Sequence, residues 1–221
     1  MKRITIFTGH FGSGKTELAI NYAIYLKQQK GKVTIVDLDI VNPFFRTTER
    51  RDFLQEKGIR VISPIFAASS VDVPSLPAEV YSVFDAKDQW VVFDVGGDEV
   101  GATALGRYYP YFCREDYDML YVVNALRPLS GTEEDVVNML RAVERHSRLK
   151  VTGLINNTNL SYETQVYDII KGQSLVEKVS KKLDIPVRMV SGMRKMLDQL
   201  PDGFKESFFP IDIYMTPPWQ L

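Results

Sequence analysis

The chain has 221 residues, 45% of them apolar and 25% charged, a balance that supports a folded globular core and excludes collagen-like or low-complexity disordered chains. Its formal net charge of −1 gives no overall positive field to gather nucleic acid or anionic lipid, so nucleic-acid binding is expected to be weak or absent. The single cysteine, Cys113, rules out an internal disulfide and provides no thiol cluster for zinc or iron–sulfur ligation.

The first apolar run, after Lys2 and Arg3, ends at Gly9 within a few residues, and no other run approaches the ~18 apolar residues of a membrane span. No membrane insertion and a cytoplasmic location are the expectations. Short, β-branched, continuously apolar runs predict strands at 4–8, 33–37, 60–62, 90–94, 119–124, 151–156 and 187–190. Runs apolar on both faces suit a parallel sheet covered on both sides. Helix-like stretches alternate with them at 15–29, 47–57, 78–84, 132–147, 163–183 and 194–200. Ser130-Gly131-Thr132-Glu133 reads as a capping pattern before one helix, and Gly58 as the stop after another. The fold class is therefore α/β, a single doubly wound, mostly parallel sheet with helices on both faces. Residues 1–200 form this domain. The tail, 201–221, carries Pro201, Pro210, Pro217 and Pro218, which exclude a long amphipathic helix; it is expected to pack back on the sheet or on a partner.

Gly9, His10, Phe11, Gly12, Ser13, Gly14, Lys15 and Thr16 match G-x-x-x-x-G-K-[ST] without a mismatch. The motif follows the first strand and opens a helix with apolar residues at Leu18, Ala19, Tyr22, Ala23 and Leu26, the context that distinguishes a phosphate-binding loop from a chance match. Glycines let successive backbone N–H groups converge on phosphate oxygens at the positive end of the helix dipole. Lys15 is expected to bridge the β- and γ-phosphates and Thr16 to offer its hydroxyl to Mg2+.

Two further elements converge on the same sheet edge. The strand at 90–94 ends in Asp94, a Walker-B candidate for Mg2+, and Gly97 follows where a backbone N–H could meet the γ-phosphate. The strand at 33–37 ends in Asp37-Leu38-Asp39; Asp37 is assigned to magnesium-bound water and Asp39 to orienting the attacking water. For these aspartates, as for Asp98, the competing reading is a turn or helix cap. Phe44 and Phe45 read as a segment responsive to the γ-phosphate, as a partner surface or as a core contact. Past the sixth strand stand Asn156, Asn157, Thr158 and Asn159. Guanine selection calls for a carboxylate near position 159; an asparagine there favours ATP, with Asn156 the expected base contact.

Together the loop from Gly9 to Thr16, the Asp37-Leu38-Asp39 turn, Asp94 with Gly97, and Asn156 resemble the MinD/ParA/CobQ-type ATPases, the deviant-Walker (SIMIBI) branch of P-loop proteins. The resemblance spans most of the chain, from Ile4 to about Val190. It implies ATP and Mg2+ as cofactors, an ATP-dependent homodimer and a protein partner that reads the nucleotide state. One departure stands out: the family's signature lysine after the first glycine is His10 here, followed by Phe11. Either His10 contacts phosphate as a weaker substitute, or Arg46 or another basic residue supplies the charge, or hydrolysis is slow. Two other functions use a similar loop. A ligase of the cobyrinate or dethiobiotin synthase kind would need a second pocket, for which Arg46, Arg107, Arg127 and Tyr108 are candidates by position. A metal-insertion NTPase would need ligands that Cys113 alone does not provide.

Overall fold

The computed structural model describes residues 1–39, 47–64 and 78–215. Phe44, Phe45, Arg46, Pro217 and Pro218 lie outside the described residues. The strands are β1 (Ile4–Thr8), β2 (Val33–Leu38), β3 (Arg60–Ile62), β4 (Trp90–Val95), β5 (Tyr117–Val123), β6 (Gly153–Asn156), β7 (Val187–Gly192) and β8 (Phe208–Pro210). They pair in parallel throughout, in the order β3-β2-β4-β1-β5-β6-β7-β8. The order reverses around β1, which lies between β4 and β5. In an open parallel sheet the crevice at such a reversal, beyond the carboxyl ends of the strands, is where ligands bind.

Side-chain alternation divides the core between the two faces. Phe7, Val33, Ile35, Val92, Leu120 and Val122 pack beneath α1 (Lys15–Lys30) and α2 (Arg51–Glu56). On the other face, Ile4, Ile6, Val36, Phe93, Met119 and Tyr121 meet α3 (Ser82–Asp85), α4 (Glu99–Gly106), α5 (Tyr109–Phe112), α6 (Glu133–Ser147) and α7 (Val166–Leu183). The short α8 (Arg194–Leu197) closes a small third cluster with Ile169, Val190 and Leu200. The sheet is thus buried on both sides, as its continuously apolar strands require. Among the described residues no helix is long and apolar enough to cross a membrane.

The predicted helix at 47–57 is instead a 3-10 turn, Thr47–Arg50, running into α2, and 78–84 divides in the same way. Gly58 does end α2: at φ 71° its N–H bonds the Gln55 carbonyl (2.8 Å) while Ile59 N–H bonds that of Leu54 (2.9 Å). The cap of α6 is Thr132, whose hydroxyl accepts the Asp135 N–H (3.2 Å), and not Ser130. Ser130 is buried and donates to the Asn124 carbonyl (2.7 Å). Both α4 and α5 went unpredicted, as did β8.

The tail is woven into this architecture. β8 extends the sheet beyond β7, and the chain then crosses to α1. There the Asn21 amide clasps the backbone of Asp212, donating to its carbonyl and accepting its N–H, both at 2.9 Å. The Glu17 carboxylate accepts the N–H groups of Tyr214 (2.7 Å) and Met215 (3.1 Å). Tyr214 also meets the Phe53 ring of α2, 5.1 Å between centroids. Truncating Asn21→Ala removes both bonds to the Asp212 backbone, which should cost about 0.5–1.5 kcal/mol. Urea unfolding is expected to show the lower midpoint, with protease cleavage after position 210 appearing first.

Candidate phosphate site at the carboxyl edge of the sheet

The loop from Gly9 to Thr16 connects the centre of the sheet to the first turn of α1. Gly14 precedes the helix at φ 85°, a left-handed conformation that favours glycine. A Cβ there would collide with the Asn157 amide, so the position is closed to side chains twice over. Three loop carbonyls are held by long side chains or by the turn itself. Arg127 donates its Nε–H to the Gly12 carbonyl (3.0 Å), and Asn157 donates its amide to that of Ser13 (2.7 Å). The His10 carbonyl accepts the Ser13 N–H (3.1 Å) and, more weakly, the Lys15 ammonium (3.4 Å). In a trans peptide, C=O and N–H point in opposite directions. Holding the Ser13 carbonyl therefore turns the Gly14 N–H away from Asn157. Asn157 is itself fixed by the Ser191 hydroxyl, which donates to its carbonyl oxygen (2.8 Å).

The acids gather as the strand ends predicted. Asp37 and Asp94 are register partners on β2 and β4, both fully buried. Asp37 accepts the Asp39 N–H (3.0 Å), the Thr48 N–H (3.2 Å) and the Thr48 hydroxyl (2.7 Å). Asp94 accepts the Thr47 hydroxyl on one oxygen (2.9 Å). Its other oxygen, Oδ1, is sealed from solvent without a standard hydrogen-bond partner among the described residues, as is the Ser13 Oγ of the loop. Burial pushes Asp94 up to about 7, assisted by the Asp37 charge, while Lys15 and the Thr16 hydroxyl draw it down. Burial also raises Asp37. Lys15 is 6% exposed; burial lowers its pKa, against the pull of Asp94, Asp39 and Asp98.

Other expected members divide. Gly97 is pressed on the loop, where a Cβ would meet the backbone of Gly9, Phe11 (2.8 Å) and His10 (2.9 Å). Asp39 lies beside Gly96, 3.2 Å from where a Cβ would stand. Asp98 is a cap, its carboxylate accepting the Gly101 N–H (2.8 Å) at the start of α4. The His10 ring sets its Nδ1 against the Phe11 carbonyl (2.8 Å). Asn156 does not join the site: fully buried, it donates to the Ile169 carbonyl (3.0 Å) and Gln173 (3.2 Å) and accepts the Thr158 N–H (3.1 Å). These bonds occupy both of its donors, so the base contact expected of it is not supported here. Its neighbour Asn157 reaches the loop instead. Tyr108, considered for a second pocket, lies in the core against Tyr81 and Phe84.

The residues present fit a magnesium-bound polyphosphate. The loop amides, the buried Lys15 ammonium and the Asp94 oxygen without a standard partner suit phosphate oxygens and a hard cation.

No known family model matches the sequence, and a comparison with curated proteins finds no match. Similarity appears among solved structures. The signal recognition particle receptor FtsY of Elizabethkingia anophelis, solved with GDP, superimposes with a TM-score of 0.57 at 17% identity over 93% of this chain and 62% of its own. The cell division protein FtsY of Thermotoga maritima gives a TM-score of 0.57 at 17% identity over 90% and 64%. The signal recognition particle 54 kDa protein of Aeropyrum pernix, solved with GDP, gives 0.54 at 15% over 85% and 40%. The chain thus spans less than two thirds of each of these proteins. At such identities the shared property is the fold, a parallel α/β sheet of the P-loop NTPase type.

Raised carboxylate pKa values imply a pH-dependent stability. Asp94 has a folded pKa near 7, above its unfolded value of about 3.9, so its contribution is complete below the unfolded pKa and is lost progressively as pH rises from about 4 to 7. Without nucleotide, the thermal midpoint should fall between about pH 5 and pH 7, and Asp94→Asn should reduce that fall. Thermal denaturation across this range checks both.

Proposed function

We propose that the chain is a Mg2+-dependent nucleoside triphosphatase that acts as a nucleotide switch, with ATP as its nucleotide. The carrying observation is the conjunction at one sheet edge of the Gly9–Thr16 loop, the buried Lys15 and the Asp37–Asp94 pair. On this reading Lys15 and the loop amides bind the β- and γ-phosphates, and Thr16, Asp37 and Asp94 hold Mg2+ directly or through water. Bound Mg2+ would neutralise charge developing on the phosphate oxygens. Asp39, just past β2, would orient a water toward the γ-phosphate, and Gly97 would bring its backbone N–H to the same group. The MinD/ParA/CobQ resemblance adds a homodimer formed in the triphosphate state and a protein partner that reads it.

GTP is the second reading, favoured by the GDP named with two of the structurally similar proteins. Adenine is favoured by Asn159, which stands where a guanine-selecting carboxylate would be expected; its amide donates to the Asn157 carbonyl (2.7 Å). Competition of ATP and GTP for one fluorescent nucleotide decides between them, with ATP expected to displace it at the lower concentration.

Lys15→Ala removes the buried ammonium and should weaken triphosphate binding by roughly 100-fold or more, the scale of losing charge-assisted contacts. Undiminished affinity would reject the site. Light scattering with Mg2+ and a non-hydrolysable triphosphate should give twice the monomer mass, and with the diphosphate the monomer mass.

A further inference from the structure

Among the described residues, Asp39, Asp94 and Asp98 act on one buried ammonium, Lys15, and Asp37 adds its charge beside Asp94. A triphosphate entering this edge adds several negative charges, and Mg2+ offsets two. The position after the first loop glycine holds His10, whose Nδ1 must carry a proton to donate to the Phe11 carbonyl. That ring is engaged in shaping the loop.

Arg127 lies against the loop from the other side. It belongs to the turn after β5, where its own backbone is fixed: its N–H bonds the Asn124 carbonyl (3.1 Å) and its carbonyl accepts the Ser130 N–H (3.0 Å). The side chain crosses to the loop, with Nε–H on the Gly12 carbonyl at 3.0 Å. The Arg127 side chain packs against Gly12, where a Cβ would stand 3.3–3.7 Å from its Nε, Cδ and Cζ. Gly12 is three residues before Lys15. Among the described residues the two terminal nitrogens of Arg127 have no carboxylate or carbonyl partner. A guanidinium keeps its charge at any physiological pH and presents five donors in a fixed fork, so one donor can brace the loop while others meet phosphate oxygens.

We infer that Arg127 is the second cation of the triphosphate site, supplied within the same chain from the turn after β5, and that it favours the triphosphate over the diphosphate. The inference rests on the nucleotide reading above. Arg127 differs from Lys15 in being exposed; its terminal donors, beside Gly12, would serve phosphate oxygens at the rim of the loop, while Lys15 serves those within it.

The experiment is calorimetric titration of the full chain, with Mg2+, against AMP-PNP and ADP, with GMP-PNP and GDP in parallel. Arg127→Gln, which keeps a hydrogen-bonding amide but loses the charge, should lower triphosphate affinity about tenfold or more and diphosphate affinity at most about threefold. Its triphosphate affinity should also depend less steeply on salt. Arg127→Lys, which keeps the charge, should retain most of the triphosphate preference. Arg127→Gln binding both nucleotides as the unaltered chain does would overturn the inference and leave the nucleotide site standing. Equal losses for triphosphate and diphosphate, together with a lower melting temperature without ligand, would overturn it in favour of loop bracing alone. Failure of the unaltered chain to bind any of the four nucleotides would remove the nucleotide reading itself, and this inference with it.

Discussion

A loop that offers its N–H groups to a ligand must have its carbonyl groups satisfied by other partners. Two carbonyls of the Gly9–Thr16 loop are held by side chains from elsewhere in the sheet. Arg127 comes from the turn after β5 and Asn157 from the end of β6, and they grip the carbonyls of Gly12 and Ser13 in succession. Ser191 on β7 steadies Asn157. Three neighbouring strands of the sheet thus contribute to the shape of one loop on a fourth, and the parallel arrangement brings all their carboxyl ends to that edge. Preorganisation of this kind leaves little ordering to be done when a ligand arrives.

The same edge carries an electrostatic cost. Asp37 and Asp94 are buried as register partners, and one Asp94 oxygen has no hydrogen-bond partner at standard geometry among the described residues. A core selected for stability alone would not retain that arrangement, since apolar residues of like volume serve as well or better. The raised pKa of each carboxylate expresses the strain, and the lowered one of Lys15 shows that burial outweighs even the pull of neighbouring acids. Clusters of groups displaced from their ordinary ionisation mark functional sites more often than structural ones. Thr47 and Thr48, which donate to Asp94 and Asp37, sit at the head of the 3-10 turn that leads into α2. The acids are therefore tied directly to the segment that follows residue 46.

The central features were legible because they are local in sequence. A phosphate loop is eight consecutive residues, and a strand buried on both faces is a run of β-branched ones. Features set by a single residue of register were less so. Asn156 and Asn157 are chemically identical neighbours at the end of β6, and strand alternation sends one amide to α7 and the other to the loop. No composition or spacing distinguishes them. The capping pattern failed for the same reason: Ser130 and Thr132 are both good caps, and Ser130 is occupied by Asn124. The helix α4, rich in glycine and alanine, begins directly after the Gly96-Gly97 turn, and β8 is three residues ending in proline. Weak propensity hid both, while tertiary packing forms both.

The tail shows how a distant segment can be coupled to the loop without touching it. Glu17 directly follows Lys15 and Thr16, and its carboxylate is held by the backbone of Tyr214 and Met215. Burial raises its pKa, and those two N–H groups are the largest influences holding it down. An acidic residue in the first turn of a helix already complements the dipole there. Here the carboxylate also faces outward to bind the tail, so the first turn of α1 is fastened on one side by Arg127 and Asn157 through the loop, and on the other by residues some two hundred positions later. Tyr214 then carries that fastening to Phe53 on α2, the helix reached from Thr47 and Thr48. The two acids, the loop and the tail consequently form one mechanical unit around α1 and α2, in which displacement of any part must be accommodated by the others.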